Sequence, residues 1–404
     1  MDARAVKVGQ PRVRGASGKR RRATLVRLFV SGALQMTLLG CTTQNRDAMS
    51  IPASGTKMDA YPSVDATLGE RLYPDELALA DAIGESIERS LRAQYAAGDI
   101  LRDAHPKAHG CVRAEFRVAD TLPEGLAHGV FVPGARYPAW IRFSNGARDA
   151  TRPDIKGDAR GMSIKLQDVP GTSLLRESDD AGQGAIQDFI LISHPVFFSN
   201  DPRRYLSVVS LASRDSAASK VLIPFHLGLR GALIALKTSR KVISSPLQTR
   251  YWSTVPYQLG TGLDRRAVKY SVRACSVVVD PLPTQPAPDF LRGRMRAILN
   301  DGDACMEFLV QPRTSPEMSV EDSMTEWQEP DAPFHKVATL HIPRQAFDTK
   351  EQNAFCEALS FNPWHALPEH RPLGVTNRLR KVIYDRISRI RHEGTSGGPS
   401  SEPR

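Results

Sequence analysis

The chain has 404 residues, 41% hydrophobic and 24% charged, with 29 Gly and 29 Pro scattered without period. These values exclude collagen-like, coiled-coil and wholly disordered classes, and the length suits one large domain with additions or two to three ordinary ones. The formal charge is +10, but residues 1–41 hold nine Lys/Arg against Asp2 alone and carry +8 of it, so the remainder lacks the basic surface needed to bind a phosphate backbone and no nucleic-acid partner is expected.

From Lys19 the sequence reads Lys-Arg-Arg-Arg, then an apolar stretch from Leu25 to Leu39 interrupted by Arg27, ending in Leu38-Leu39-Gly40-Cys41. A basic region, a short apolar region and a small residue describe a secretory signal, too short for a comfortable membrane span. Leu-Leu-Gly-Cys resembles the bacterial lipobox, whose cysteine becomes the lipidated first residue after cleavage. Residues 1–40 are therefore expected to be a signal peptide and Cys41 a lipidation site, giving an exported lipoprotein anchored to the membrane on the periplasmic side. Thr42 is compatible with onward transport to an outer membrane. An ordinary signal peptide or an uncleaved anchor is the alternative, and Arg21-Arg22-Ala-Thr-Leu25 leaves both general and twin-arginine export open.

Residues 41–70, rich in Ser, Thr, Ala, Pro and Asp, are expected to form a tether. Apolar residues then recur at three- and four-residue steps from Leu77 through Leu79, Ile83, Ile87, Leu91 and Tyr95, which predicts an amphipathic helix after Pro74-Asp75. Strands are expected at Cys111–Val118, Gly129–Val132, Ala139–Phe143, Met162–Leu166 and Phe189–Ile192, short β-rich runs between Pro, Gly and Asp clusters. Helical spacing returns over residues 203–247. Strands resume at Tyr270–Ala274, Ala304–Val310 and Lys336–Ile342, and a last helix covers Leu379–Ile390. The sum is an α+β fold, an antiparallel β-barrel core with surrounding helices, in one domain over 71–392. Residues 393–404, Gly, Ser and Pro rich, are expected to be a disordered tail.

Besides Cys41 the chain has Cys111, Cys275, Cys305 and Cys356. Four cysteines allow three pairings, and spacing selects none of them. No Cys-x-x-Cys-His or paired Cys-x-x-Cys occurs, so neither covalent c-type haem nor a zinc ribbon is expected.

Arg380, Tyr384 and Arg391 lie at spacings of four and seven, which puts them near one helix face. Taken alone they describe a basic surface helix with a packed tyrosine. With Leu359-Ser-Phe-Asn-Pro-Trp364 and Pro368 upstream, however, the stretch resembles the haem-ligand segment of catalases, where Phe-x-Pro leads to Arg-x-x-x-Tyr and a further arginine. Three more segments resemble that family in the same order: Arg102-Asp-Ala-His105-Pro-Lys; Ile141-Arg142-Phe143-Ser144 followed by Asp158-Ala-Arg160-Gly161; and Pro195-Val-Phe197-Phe198 with Asp201-Pro202 and Tyr205. The resemblance spans residues 100–391. It is closest to the small bacterial catalase-related haem proteins, which Tyr251-Trp-Ser-Thr-Val-Pro256-Tyr and Ala267-Val-Lys-Tyr270 also resemble.

That resemblance implies a catalase-like fold with a pocket for haem b (iron protoporphyrin IX) between the barrel and the C-terminal helix. Tyr384 would be the anionic axial ligand, kept deprotonated by Arg380. Across the porphyrin His105 would take the peroxide proton and return it to the leaving oxygen, oriented by Ser144. Arg102, Arg142 and Arg391 would hold the propionates, since a guanidinium fork matches a carboxylate, and Phe197 would pack on the porphyrin plane.

One departure bears on substrate. Catalases place an asparagine three residues before the Pro-x-Phe-Phe proline, and here Ile192 stands there, followed by Ser193 and His194. Losing a preorganised donor costs about 2–4 kcal/mol of transition-state stabilisation unless Ser193 or His194 replaces it, and an apolar residue there suits an organic hydroperoxide. His105 is preferred to His109 as the distal histidine because it stands three residues after Arg102; a metal pair of the two is disfavoured by Pro106 and the lack of a third ligand. His365, His370 and His392 are read as surface or capping residues. The expected activity is consumption of hydrogen peroxide or organic, including lipid, hydroperoxides. The alternatives are a fatty-acid hydroperoxide isomerase or dehydratase and a non-catalytic haem-binding lipoprotein. Self-association to a homodimer is allowed for.

Overall fold

Apolar alternation along nine antiparallel strands builds the centre of the molecule: β1 (Ala108–Val118), β2 (Arg136–Asn145), β3 (Arg160–Val169), β4 (Ala185–Ile192), β5 (Tyr251–Trp252), β6 (Tyr257–Leu259), β7 (Arg266–Ala274), β8 (Ala304–Pro312) and β9 (His335–Ile342). This is a computed structural model, and it describes residues 61–175, 184–214 and 216–393. The expected signal peptide, Cys41, the first part of the tether and most of the tail lie outside those residues.

The strands hydrogen-bond in the order β5-β4-β3-β2-β1-β9-β8-β7-β6. Ile192 of β4 opposes Trp252, and Tyr251 opposes Val272 of β7, so β5 joins both ends and closes an eight-stranded barrel, with β6 as an extra strand on β7. Side chains alternate across each strand. Ile141 and Phe143, Met162 and Ile164, and Phe189 and Leu191 point into the barrel, where Phe116, Phe131, Tyr270 and Phe308 complete the core. Phe116 meets Phe308 edge-on at 5.2 Å between ring centroids.

Among the described residues six helices surround the barrel: α1 (Glu76–Gln94), α2 (Pro202–Ala212), α3 (Ala217–Ser239), α4 (Phe290–Asp301), α5 (Lys350–Ala358) and α6 (Val375–His392). Ile83, Ile87 and Leu91 of α1 pack with Val209 of α2 and Leu379, Ile383 and Ile390 of α6 in a second apolar cluster. Asp201 caps α2, its carboxylate accepting from the Arg203 and Arg204 amides, with Pro202 in the first turn.

Several expectations change. Gly129–Val132 is not a strand; it is a loop in which Val130 and Phe131 are buried and Val132 is exposed, and its Val130 amide donates to His370 Nε2 at 3.0 Å. His370 and His365 are not surface residues. His370 is sealed in the barrel core, and His365 is buried with its Nδ1 2.9 Å from Asp188. Because Nε2 of His370 accepts, its Nδ1 carries the proton and donates to the Tyr270 oxygen at 2.9 Å. His392 does cap, with Nε2 3.1 Å from the Ala358 carbonyl oxygen.

The described part of the expected tether, residues 61–70, is packed. Glu70 is buried and pairs with Arg378 at 2.9 Å and with Arg371 at 2.7 Å, and the Tyr61 hydroxyl donates to Glu76 at 2.6 Å. Helices α4 and α5 were not among the expected elements. Of the three cysteine pairings, Cys275–Cys305 forms a disulfide across β7 and β8, and Cys111 and Cys356 remain adjacent buried thiols beside Trp140 and Phe355.

Candidate active site

The strand alternation that fills the barrel also builds the site on its outside. Arg142 and Ser144 on β2, Gly161 and Ser163 on β3, and Ile190 and Ile192 on β4 are the residues between the core-facing ones. Register fixes their row: Ser144 opposes Gly161, and Gly161 opposes Ile192. Above this wall α6 presents Thr376, Arg380, Ile383, Tyr384, Ile387 and Arg391, one helix face. Between wall and helix lies a cavity of about 450 Å3, the size of a cofactor or small-ligand site.

Arg102, His105, Arg142, Phe197, Arg380, Tyr384 and Arg391 all line this cavity. Ser144 stands behind it, its Oγ 3.0 Å from His105 Nδ1. The eight residues proposed from the motifs therefore surround one space, although they come from two loops, a strand and a helix.

His105 is held from three sides. Its backbone has φ +64°, in the left-handed region that a non-glycine residue enters at a cost of about 1–3 kcal/mol and that is concentrated at functional sites. Arg142 Nη2 donates to the His105 carbonyl at 2.9 Å and to that of Pro106 at 3.3 Å, locking the loop to β2. The imidazole lies over Gly161, where a Cβ would stand 2.5 Å from Nδ1 and 2.7 Å from Ser144 Oγ. Burial, together with Arg142, Arg380 and Arg102, pushes the His105 pKa down to about 4. The ring is neutral at neutral pH.

His109, the rival candidate, is buried on β1 with Nδ1 3.7 Å from Asp154 and does not line the cavity. Ile192 does line it. Ser193 does not: its Oγ accepts from the Arg160 amide at 3.0 Å; nor does His194, whose Nδ1 is engaged by Val196. Neither supplies the donor that catalases place at residue 192.

At the outer edge three guanidinium groups converge on one carboxylate. Glu357 lies 2.5 Å from Arg102, 3.3 Å from Arg391 and 3.9 Å from Arg142. Arg102 also donates to the carbonyls of Cys356, Glu357 and Leu359 at the end of α5, and burial beside Arg142 and Arg391 lowers its pKa to about 9. Three cations and one anion leave a net +2, and Arg142 Nε is buried without a hydrogen-bond partner. This donor set suits a ligand bearing two carboxylates, as haem does. Glu357 was not found from sequence, because only the packing of α5 brings it here. Arg380 lies over the Phe197 ring, 5.4 Å from its centroid, so a flat group resting on Phe197 takes that guanidinium's place.

An eight-stranded barrel with the cavity between its outer wall and a C-terminal tyrosine helix is a catalase fold, and the chain is catalase-like. It superimposes on a fungal catalase with a TM-score of 0.58 at 16% identity, over 84% of this chain and 70% of that one. For a bacterial catalase the values are 0.55, 17%, 92% and 70%, and for catalase A from Saccharomyces cerevisiae 0.53, 16%, 83% and 71%. Among curated proteins it is 24% identical over 288 residues to the catalase-related peroxidase of Mycolicibacterium paratuberculosis, covering 69% of this chain and 85% of that protein. No protein-family model matches.

Proposed function

We propose that the protein is a haem-dependent, catalase-like oxidoreductase that consumes peroxides, in which Tyr384 would ligate the iron of haem b. The observation that carries this reading is the convergence of His105, Tyr384 and five further motif residues on one cavity, with Ser144 in hydrogen-bond reach of His105. The catalase fold and the resemblance to a catalase-related peroxidase support it.

When bound, haem supplies an iron centre that takes up the oxidising equivalents of a peroxide. The chain's own residues do the rest. Tyr384, one turn after Arg380 on α6, would present its phenolic oxygen to the iron as a hard ligand. Arg102, Arg142 and Arg391 hold the two propionates. Ser144 engages His105 Nδ1, leaving Nε2 to take the proton from one peroxide oxygen and return it to the other as that oxygen leaves. With hydrogen peroxide the leaving species is water; with an organic hydroperoxide it is an alcohol.

Ile192 decides between the two oxidants. Together with Ile190, Val196, Val208 and Val209 it makes one wall of the cavity apolar, which favours an organic hydroperoxide, including one carried on a fatty acid. The same wall supports a second reading, rearrangement of a fatty-acid hydroperoxide without release of oxygen. We further propose export and lipidation at Cys41, a reading supported by the basic run from Lys19, the apolar stretch from Leu25 to Leu39 and Leu38-Leu39-Gly40-Cys41.

The test is His105→Ala in the haem-loaded full-length protein. Retained haem with peroxide consumption reduced about 100-fold or more is expected; unchanged consumption would leave only a haem-binding protein with incidental reactivity.

A further inference from the structure

Helix α3 turns an apolar face to solvent. Leu222 and Phe225 before Gly228, and Leu229, Leu233 and Leu236 after it, stand at steps of three and four within each half of α3, and all are exposed, Phe225 by 77% and Leu229 by 81%. A run of exposed large apolar side chains of this kind marks contact with protein or lipid.

Charge selects between them. No Asp or Glu occurs from Ala217 to Ser239. Arg230 is ion-paired with Asp322 at 3.7 Å, but Lys237, Arg240 and, at the end of α2, Arg214 have no acidic partner among the described residues. A positively bordered apolar face repels a second copy of itself and attracts anionic headgroups.

Shape selects between lying on a bilayer and crossing it. The 23 residues are long and apolar enough to cross a membrane by composition. Pro224 and the non-helical Gly228, at φ +69°, break the helix instead, and Arg204 Nη1 donates to the freed Leu227 carbonyl at 3.3 Å. Each half is roughly 16 Å long, about half a hydrocarbon core. A kinked helix that is apolar on one side and basic at its border lies in the interface plane.

We infer that α3 is an interfacial helix that seats the folded domain on an anionic lipid surface, with Phe225 and Leu229 at the acyl boundary and Lys237 and Arg240 against the headgroups. The seat requires neither haem nor turnover. Thr238 of α3, with Val208 and Ala212 of α2, also lines the cavity, so the seat places the site beside bilayer-borne hydroperoxides; only that consequence rests on the function proposed above.

The experiment places an indole on α3 by Phe225→Trp in the full-length protein, with Leu263→Trp, at a fully exposed position in the turn between β6 and β7, as control. Each is titrated with vesicles of mixed phosphatidylglycerol and phosphatidylcholine carrying brominated acyl chains. The indole at 225 is expected to shift to the blue and be quenched, with or without haem, while that at 263 does neither. Lys237→Gln with Arg240→Gln in the 225 background is expected to lower vesicle affinity about tenfold or more. A water-like emission at 225 in the presence of vesicles overturns the inference even where an N-terminal anchor holds the protein to them. A blue shift with rising protein concentration and no vesicles overturns it in favour of a second copy, and equal response to pure phosphatidylcholine overturns the role of charge. Failure of the haem chemistry leaves the 225 signal unchanged, so the two readings fail separately.

Discussion

Ser144 Oγ lies 3.0 Å from His105 Nδ1, and both pack over Gly161, the residue opposite Ser144 in the β2–β3 ladder. The strand register thus supplies both the hydrogen bond that orients the imidazole and the bare backbone on which it rests. Gly161→Ala inserts a methyl group that displaces His105 by a fraction of an ångström or more. Haem content is expected to be retained while peroxide turnover falls about 10- to 100-fold, measured by peroxide decay against haem absorbance.

Ile192 continues the same row on β4. Ile192→Asn restores a polar group at the position where catalases carry one. Oxygen evolution from hydrogen peroxide is expected to rise by about tenfold or more, and turnover of a fatty-acid hydroperoxide to fall. Oxygen-electrode assays with the two oxidants would show the exchange of preference; parallel changes would argue that Ile192 does not select substrate.

The low His105 pKa has a pH consequence in the haem-free protein. Its folded value, about 4, lies below the ordinary 6.5, so the unfolded chain takes up this proton first as pH falls. The stability of the wild type is therefore expected to decline relative to His105→Gln from about pH 6.5 down to about pH 4, by on the order of 3 kcal/mol in full, read by chemical denaturation at each pH.

Much of the site was legible because its chemistry needs particular residue types at short spacings: Arg102 and His105 three apart in one loop, Arg142 and Ser144 two apart on one strand, and Arg380, Tyr384 and Arg391 on one helix face. Alternation showed most of the strands for the same reason. What could not be read depends on the tertiary fold. Gly129–Val132 has β composition yet is fixed as a loop by His370, and His365 and His370 look like surface histidines until Asp188 and Tyr270 are placed beside them. Helix α4 did carry a signal, since Leu291, Met295 and Leu299 repeat every four residues and are buried. Helix α5 has nine residues, too few for the pattern to stand out.

Arg378, one residue beyond the buried Asn377, was missed for the same reason. It is fully buried and pairs with Glu70 at 2.9 Å, Glu76 at 2.7 Å and Glu321 at 3.0 Å, joining the segment before α1 to the start of α6. Arg378→Met leaves Glu76 and Glu321 without this cation and Glu70 with Arg371 alone, and is expected to destabilise the fold by about 3–5 kcal/mol, measured by denaturant titration. Surviving folded protein at low temperature is expected to bind haem normally, because Arg378 does not line the cavity.

The cavity between the barrel wall and α6 is proposed to hold haem on Tyr384. The absorption spectrum of the haem-reconstituted full-length protein beside Tyr384→Phe tests it most directly. A high-spin ferric, tyrosinate-type spectrum in the wild type, lost in the variant, is the expected result. Failure of the wild type to retain haem, or the same spectrum in both proteins, would contradict it.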